Sequence, residues 1–165
     1  MRIRIFIITL SVLLMFQGCI FAQSKQVDLE NGFKIEQLLE QLKDKDYEVR
    51  KKALNALNKQ GEIHSLDDLT TKALIPLLQD SDWRIRARVV IVLHNVNNKK
   101  MVIDPLIAVL SDESVPVVVG AMQTLSGIAD EKVISEISKL LDSDNLQIRI
   151  TAEEILTKAA KKTGS

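Results

Sequence analysis

Few residues in this chain are spaced for chemistry. His64 and His94 are its two histidines, and they lie 30 positions apart. Neither stands in an H-E-x-x-H run or beside paired cysteines, the spacings that bring two ligands to one metal. Both read as solvated or partly packed side chains. Cys19 is the one cysteine and sits in the apolar N-terminal stretch, so the rest of the chain has no thiol chemistry and no disulfide. A glycine-rich phosphate loop and a Gly-x-Ser-x-Gly elbow are both missing. Gly120 and Gly127 fall in a stretch of helical spacing and read as contact or packing positions. Carboxylates are plentiful, but most occupy recurring anchor, cap or surface positions. The expectation is no catalytic residue, no metal and no cofactor.

Composition narrows the class further. The 165 residues are 46% hydrophobic and 27% charged, with only 4% aromatic, three prolines and six glycines. Scarce aromatic and turn residues argue against sandwiches and barrels, and favour helices. The formal net charge is zero, which excludes the basic excess of a nucleic-acid binder.

From Phe33 onward the sequence repeats itself. Four segments align: KDKDYEVRKKALNAL, QDSDWRIRARVVIVL, SDESVPVVVGAMQTL and LDSDNLQIRITAEEIL, the last with one extra residue. An acidic anchor recurs at Asp44, Asp80, Asp112 and Asp142. Arg50, Arg86 and Arg149 form an arginine column, in which Val118 takes the third place. The spacings along this column are 36, 32 and 31, a period that marks a solenoid. An aliphatic residue always precedes the column: Val49, Ile85, Val117, Ile148. A leucine follows it by seven positions: Leu57, Leu93, Leu125, Leu156. Two upstream columns are aliphatic, Leu39/Ile75/Ile107/Ile137 and Leu42/Leu78/Leu110/Leu140.

The elements that carry these columns are helices. Leu39 and Leu42 share one helix face, as do Val49, Ala53, Ala56 and Leu57. Between them the Asp-x-Asp segment is a turn, whose second aspartate (Asp46, Asp82) or Ser114 caps the next helix. Ser65 to Asp68 looks like a capping box, and Asp104-Pro105 like a cap followed by a first-turn proline. Pro76 is expected to kink a helix, and Gln60 to His64 to form a longer loop. One helix pair cannot bury enough apolar surface alone, so the pairs must stack.

The run Leu42-Lys-Asp44-Lys-Asp46-Tyr-Glu-Val49-Arg50-Lys-Lys-Ala53-Leu-Asn-Ala56-Leu57 resembles a HEAT repeat, in particular the short variety named after phycobilisome lyases. The second and fourth segments match at Asp80, Asp82, Arg86 and at Asp142, Asp144, Arg149. The third departs from the pattern at Ser114, Pro116 and Val118. The resemblance covers about residues 34–158. It implies an all-α fold, an α-solenoid of about four HEAT-like helix pairs in a right-handed superhelix. It also implies that Asp44, Arg50, Asp80, Arg86, Asp112, Asp142 and Arg149 form a structural ladder, with Asp and Arg of adjacent units paired and a gap at Val118. Nothing in the chain marks a bilin site, so lyase activity is not expected.

In such a stack the second helices line the concave side. Their outward positions run from Lys51, Lys52, Asn55 and Asn58 through Ala87, Arg88, Ile91 and His94. Val119, Gly120, Gln123 and Ser126 follow, then Ile150, Thr151, Glu154 and Thr157. Lys51, Lys52, Arg88, Ile91, Val119 and Gln123 are the candidate partner-binding set. Val90 and Met122 beside Ile91 and Val119 read either as an exposed apolar patch or as packing between units two and three. The resulting expectation is a non-catalytic protein-interaction scaffold or adaptor, with a protein partner and no nucleic acid. A second reading is a peptidoglycan or glycan binder, with Tyr47 and Trp83 as an aromatic platform.

The N-terminus points outside the cytoplasm. Arg2 and Arg4 precede the uncharged run Phe6 to Phe16, and small residues follow at Gly18, Cys19 and Ala22. That is the build of a signal peptide; the run is shorter than the ~20 residues that span a bilayer, and the alternative of a permanent anchor would need Ile3 to Ile5 and take in Arg4. Cleavage after Ala22 gives a periplasmic or secreted protein. Alternatively, Phe16-Gln17-Gly18-Cys19 resembles a degenerate lipobox, with Cys19 lipidated and membrane contact through that lipid. The expected organisation is a signal peptide over 1–22, a linker over 23–32, the repeat domain over 33–160 and a tail over 161–165.

Overall fold

The computed structural model describes residues 34–128 and 130–163. The signal segment, Cys19 and the linker 23–32 lie outside the described residues. The chain divides into two units, Met1–Gln37 and Leu38–Ser165, and the second holds the repeats.

Regular structure among the described residues is helical, apart from one isolated bridge between Leu66 and Val96. Helix α1 covers residues 34–41. It is followed by α2 (Tyr47–Ile63), α3 (Asp68–Leu74), α4 (Trp83–Leu93), α5 (Lys100–Ala108), α6 (Val115–Ser126), α7 (Glu131–Ser138) and α8 (Leu146–Thr163). From α3 onward these pair as first and second helices of successive units, α3 with α4, α5 with α6 and α7 with α8, an α-solenoid. The second helices α2, α4, α6 and α8 pack side by side as one layer. None of the described helices is long and apolar enough to cross a membrane. Helix α8 continues to Thr163, into the segment read as a tail.

The core follows the repeat. Ile85, Val117 and Ile148 are buried, as are Ala53, Val89, Ala121 and Ala152 one turn later, then Leu57, Leu93 and Leu125. On the first helices the buried column is Leu38, Leu74, Leu106 and Ile137. The column expected one residue on, at Leu39, Ile75 and Ile107, is only half-buried.

The turns show how each second helix starts. Asp46 accepts a bond from the Glu48 N–H and Asp82 from the Arg84 N–H. Asn145 does the same for Gln147 at 2.9 Å. Ser114 stands at the cap of α6 without a side-chain bond. The sites of helix initiation elsewhere differ from the sequence expectation. Asp67 caps α3 through Thr70, in place of Ser65, because Leu66 is held in the bridge to Val96. Helix α5 begins at Lys100, a full turn before Asp104, so Pro105 lies inside it. Pro76 opens a 3₁₀ turn, Ile75–Gln79, that ends α3 instead of kinking it. The extra residues of the first interval lengthen α2 to Ile63 rather than making a loop from Gln60. Gly61 permits this, since a Cβ there would lie 2.8 Å from the Asn95 Cβ.

Candidate partner-binding face

Arginine and aspartate set the geometry that holds the second helices in line. Arg86 is buried and meets Asp112 of the next unit with two hydrogen bonds, Nε to Oδ2 at 2.7 Å and Nη2 to Oδ1 at 2.8 Å. Its Nη1 donates to the Asp80 carbonyl at 2.9 Å, so one side chain joins its own turn to the following one. Asp112 also accepts from the Ser114 N–H. Burial pushes the Asp112 carboxyl up, but the Arg86 hydrogen bond, the Ser114 N–H and the Arg86 charge together hold it below its usual value. The Asp112 hydrogen bond raises the Arg86 guanidinium in turn.

Arg50 makes a looser rung with Asp80. Its Nε stands 3.1 Å from Oδ2 and its Nη2 3.3 Å from Oδ1, and the buried Nε lacks hydrogen-bond geometry. Nη1 binds the Asp44 and Lys45 carbonyls, both at 2.9 Å. Among the described residues the Asp44 carboxylate closes only its own turn, on the Asp46 N–H.

The fourth unit corrects the sequence register. Asp142 is exposed and ends the 3₁₀ turn Lys139–Asp142, while Ser143 takes the anchor place. The Ser143 N–H donates to Leu140, as Asp80 does to Leu77 and Asp112 to Val109. Arg149 Nη1 binds the Ser143 carbonyl at 2.6 Å, and Arg149 has no carboxylate partner among the described residues. Counted from Ser143 the fourth repeat has no extra residue. Val118, at the arginine place, is buried. Both partners of the third rung are therefore replaced by uncharged groups, which avoids leaving one buried charge alone.

On this frame the second-helix layer presents its outward residues. Lys52 and Gln123 are exposed, and Ile91 is 54% exposed. Lys51 is half-buried against Glu48 at 2.9 Å. Arg88 reaches across to α2, donating to Asn55 Oδ1 at 2.7 Å. Val119 is half-buried and packs on the core. Val90 and Met122 are fully buried, so they are packing and not patch. Helices α4 and α6 each touch a second helix on both sides, which buries a wider stripe than a single wheel suggests, whereas α8 has such a neighbour only in α6. Glu153 takes the same place in α8 and is exposed. Thr151, expected outward, is buried and donates to the Gln147 carbonyl at 2.8 Å.

One contributor was not foreseen. Arg84 bonds Asp82 at 2.7 Å and lays its guanidinium 4.5 Å from the Tyr47 ring centroid. Lys51 Nζ stands 5.3 Å from the same ring. The Arg84 hydrogen bond holds the Asp82 carboxyl down to about 2. Tyr47 is thus covered by cations rather than open to a sugar, while Trp83 is 45% exposed. The repeated aromatic at one turn position was the available signal for a cation above it. Between α6 and α8 lies a groove of about 580 Å³, lined by Gln123, Ser126, Thr157, Glu154 and Lys158 among others. No group of His, Cys, Asp or Glu among the described residues could hold a metal.

The repeats define an α-solenoid of the HEAT and armadillo kind. The family model for HEAT repeats matches residues 71–157, more than half of the chain, and the chain belongs to that family. Solved structures agree on the fold. An engineered protein of the Northeast Structural Genomics Consortium is 23% identical with a TM-score of 0.55, over 77% of this chain and 62% of its own. A designed armadillo repeat protein in complex with the peptide (KR)4 is 22% identical with a TM-score of 0.56, over 74% and 62%. Computationally designed armadillo repeat proteins for modular peptide recognition are 19% identical, with a TM-score of 0.52. The chain thus spans less than two thirds of the length of the first two. No curated protein matches it.

Proposed function

We propose that this chain is a non-catalytic scaffold that binds a segment of a partner protein on the second-helix face, outside the cytoplasm. The observation that carries the reading is Ile91. It is a large aliphatic side chain, 54% exposed, on α4 in the middle of the second-helix layer, where its neighbour in the chain Val90 and Met122 of α6 are fully buried. Arg88 and Gln123 flank it with polar groups from the same and the next helix. An exposed apolar centre with a polar rim is how interaction surfaces are built. Membership of a repeat family and likeness to a peptide-bound armadillo design support the same use of the face. Export rests on the Arg2/Arg4 and Phe6–Phe16 pattern, with Cys19 as the lipidation candidate.

The test is recovery of partners from membrane extracts with wild-type protein and with Ile91→Asp. Ile91 is solvent-facing, so the variant should keep its helical circular dichroism and lose the wild-type partner. Recovery of the same partner by folded Ile91→Asp contradicts the proposal.

A further inference from the structure

The charge on the second-helix face is uneven along the stack. Lys51 on α2 and Arg84 and Arg88 on α4 meet at one seam, and the exposed Lys52 follows Lys51 on α2. Lys51 and Arg84 both lie within 5.3 Å of the Tyr47 ring centroid, and Arg88 is tied to Asn55 on α2. Lys51 and Arg84 are each offset by a carboxylate, Glu48 and Asp82. Among the described residues Lys52 and Arg88 have no carboxylate partner. Helix α6 presents Gln123 and Ser126, which carry no charge, and α8 presents Glu153 and Glu154 ahead of Lys158. Ile91 sits where the basic half ends.

From this we infer that the bound segment is acidic: an extended peptide whose carboxylates lie over the α2–α4 seam, with a bulky apolar side chain against Ile91. This rests on the reading of the face as a protein-segment site. The seam attracts carboxylates and repels Lys or Arg, whereas on α8 Glu153 and Glu154 share one groove with Lys158 and Lys161, so no excess of positive charge draws an acidic run there. Exposed interface charges of this kind set partner choice, association rate and salt dependence. Nucleic acid is the poorer occupant. The chain has no net positive charge, and the Tyr47 ring is covered by Lys51 and Arg84 rather than open to a stacking base.

Fluorescence anisotropy on the full chain tests this with three labelled probes: an alternating Asp/Glu peptide with a central Leu, the peptide (KR)4, and single-stranded oligothymidine. The acidic peptide should bind and weaken as salt rises. Lys52→Glu, and separately Lys52→Glu with Arg88→Glu, should each weaken it, the double variant by ~10-fold or more. Lys52 is exposed, so the single variant keeps the test valid if the double one unfolds. Binding of (KR)4 or the oligonucleotide as tightly as the acidic peptide, or no binding of the acidic peptide, overturns the inference. The partner distinguishes the two readings. If it is lost with Ile91→Asp but kept with Lys52→Glu/Arg88→Glu, the face stands and the acidic segment falls.

Discussion

Arg86 has a partner for each guanidinium nitrogen, two on Asp112 and one on the Asp80 carbonyl. Removing it leaves the Asp112 carboxylate, whose side chain is 8% exposed, without its cation. A buried pair broken on one side typically costs ~3 kcal/mol. Arg86→Ala should therefore lower the denaturant midpoint clearly, whereas Lys51→Ala, at a half-exposed side chain with a surface partner, should stay within ~0.5 kcal/mol of wild type. Equal midpoints for the two variants would contradict a structural role for the arginine column. The effect has a pH signature. The folded Asp112 carboxyl lies below its ordinary value, so its contribution is full above the unfolded value of ~3.9 and fades as pH falls through the folded one. The gap between wild type and Arg86→Ala should be largest near neutral pH and shrink below about pH 4. A gap that is unchanged between pH 7 and pH 3 would mean the rung is not an ion pair.

Between helices α6 and α8 the ladder is interrupted on both sides at once, by Val118 and Ser143. A guanidinium placed at Val118 alone would be buried without a carboxylate. Val118→Arg should destabilise by ~3 kcal/mol, and adding Ser143→Asp should recover part of that loss. Additive effects of the two substitutions, measured by chemical denaturation, would show that these positions do not face each other. Most of this organisation was legible in the sequence, because the repeat carries its spacing in the chain: 36, 32 and 31 residues separate Arg50, Arg86, Val118 and Arg149. The fourth anchor was not. The run Leu140 to Asn145 offers two aspartates, and composition favours Asp142. Burial of Ile137 and the 3₁₀ turn after α7 instead place Ser143 there. Val90 and Met122 were ambiguous for a related reason. A helical wheel describes one helix, and their burial depends on the helices beside it. The starts of α3 and α5 were misplaced because a bridge at Leu66 and a tolerated internal proline override local capping signals.

The whole molecule turns a row of second helices into a surface. Arg86–Asp112 and Arg50–Asp80 fix the spacing of α2, α4 and α6, and that spacing keeps Arg88, Ile91 and Gln123 on one side. The first helices face the other way, with Leu69 on α3 69% exposed. The proposed scaffold role puts a partner segment on the second-helix side. Site-specific photo-crosslinking tests it most directly, with the crosslinking residue placed at Ile91 in one variant and at Leu69 in another, in cells that produce the full chain. A discrete adduct is expected from position 91 and none of the same mass from position 69. An adduct from position 69 alone, or the same adduct from both, would contradict it.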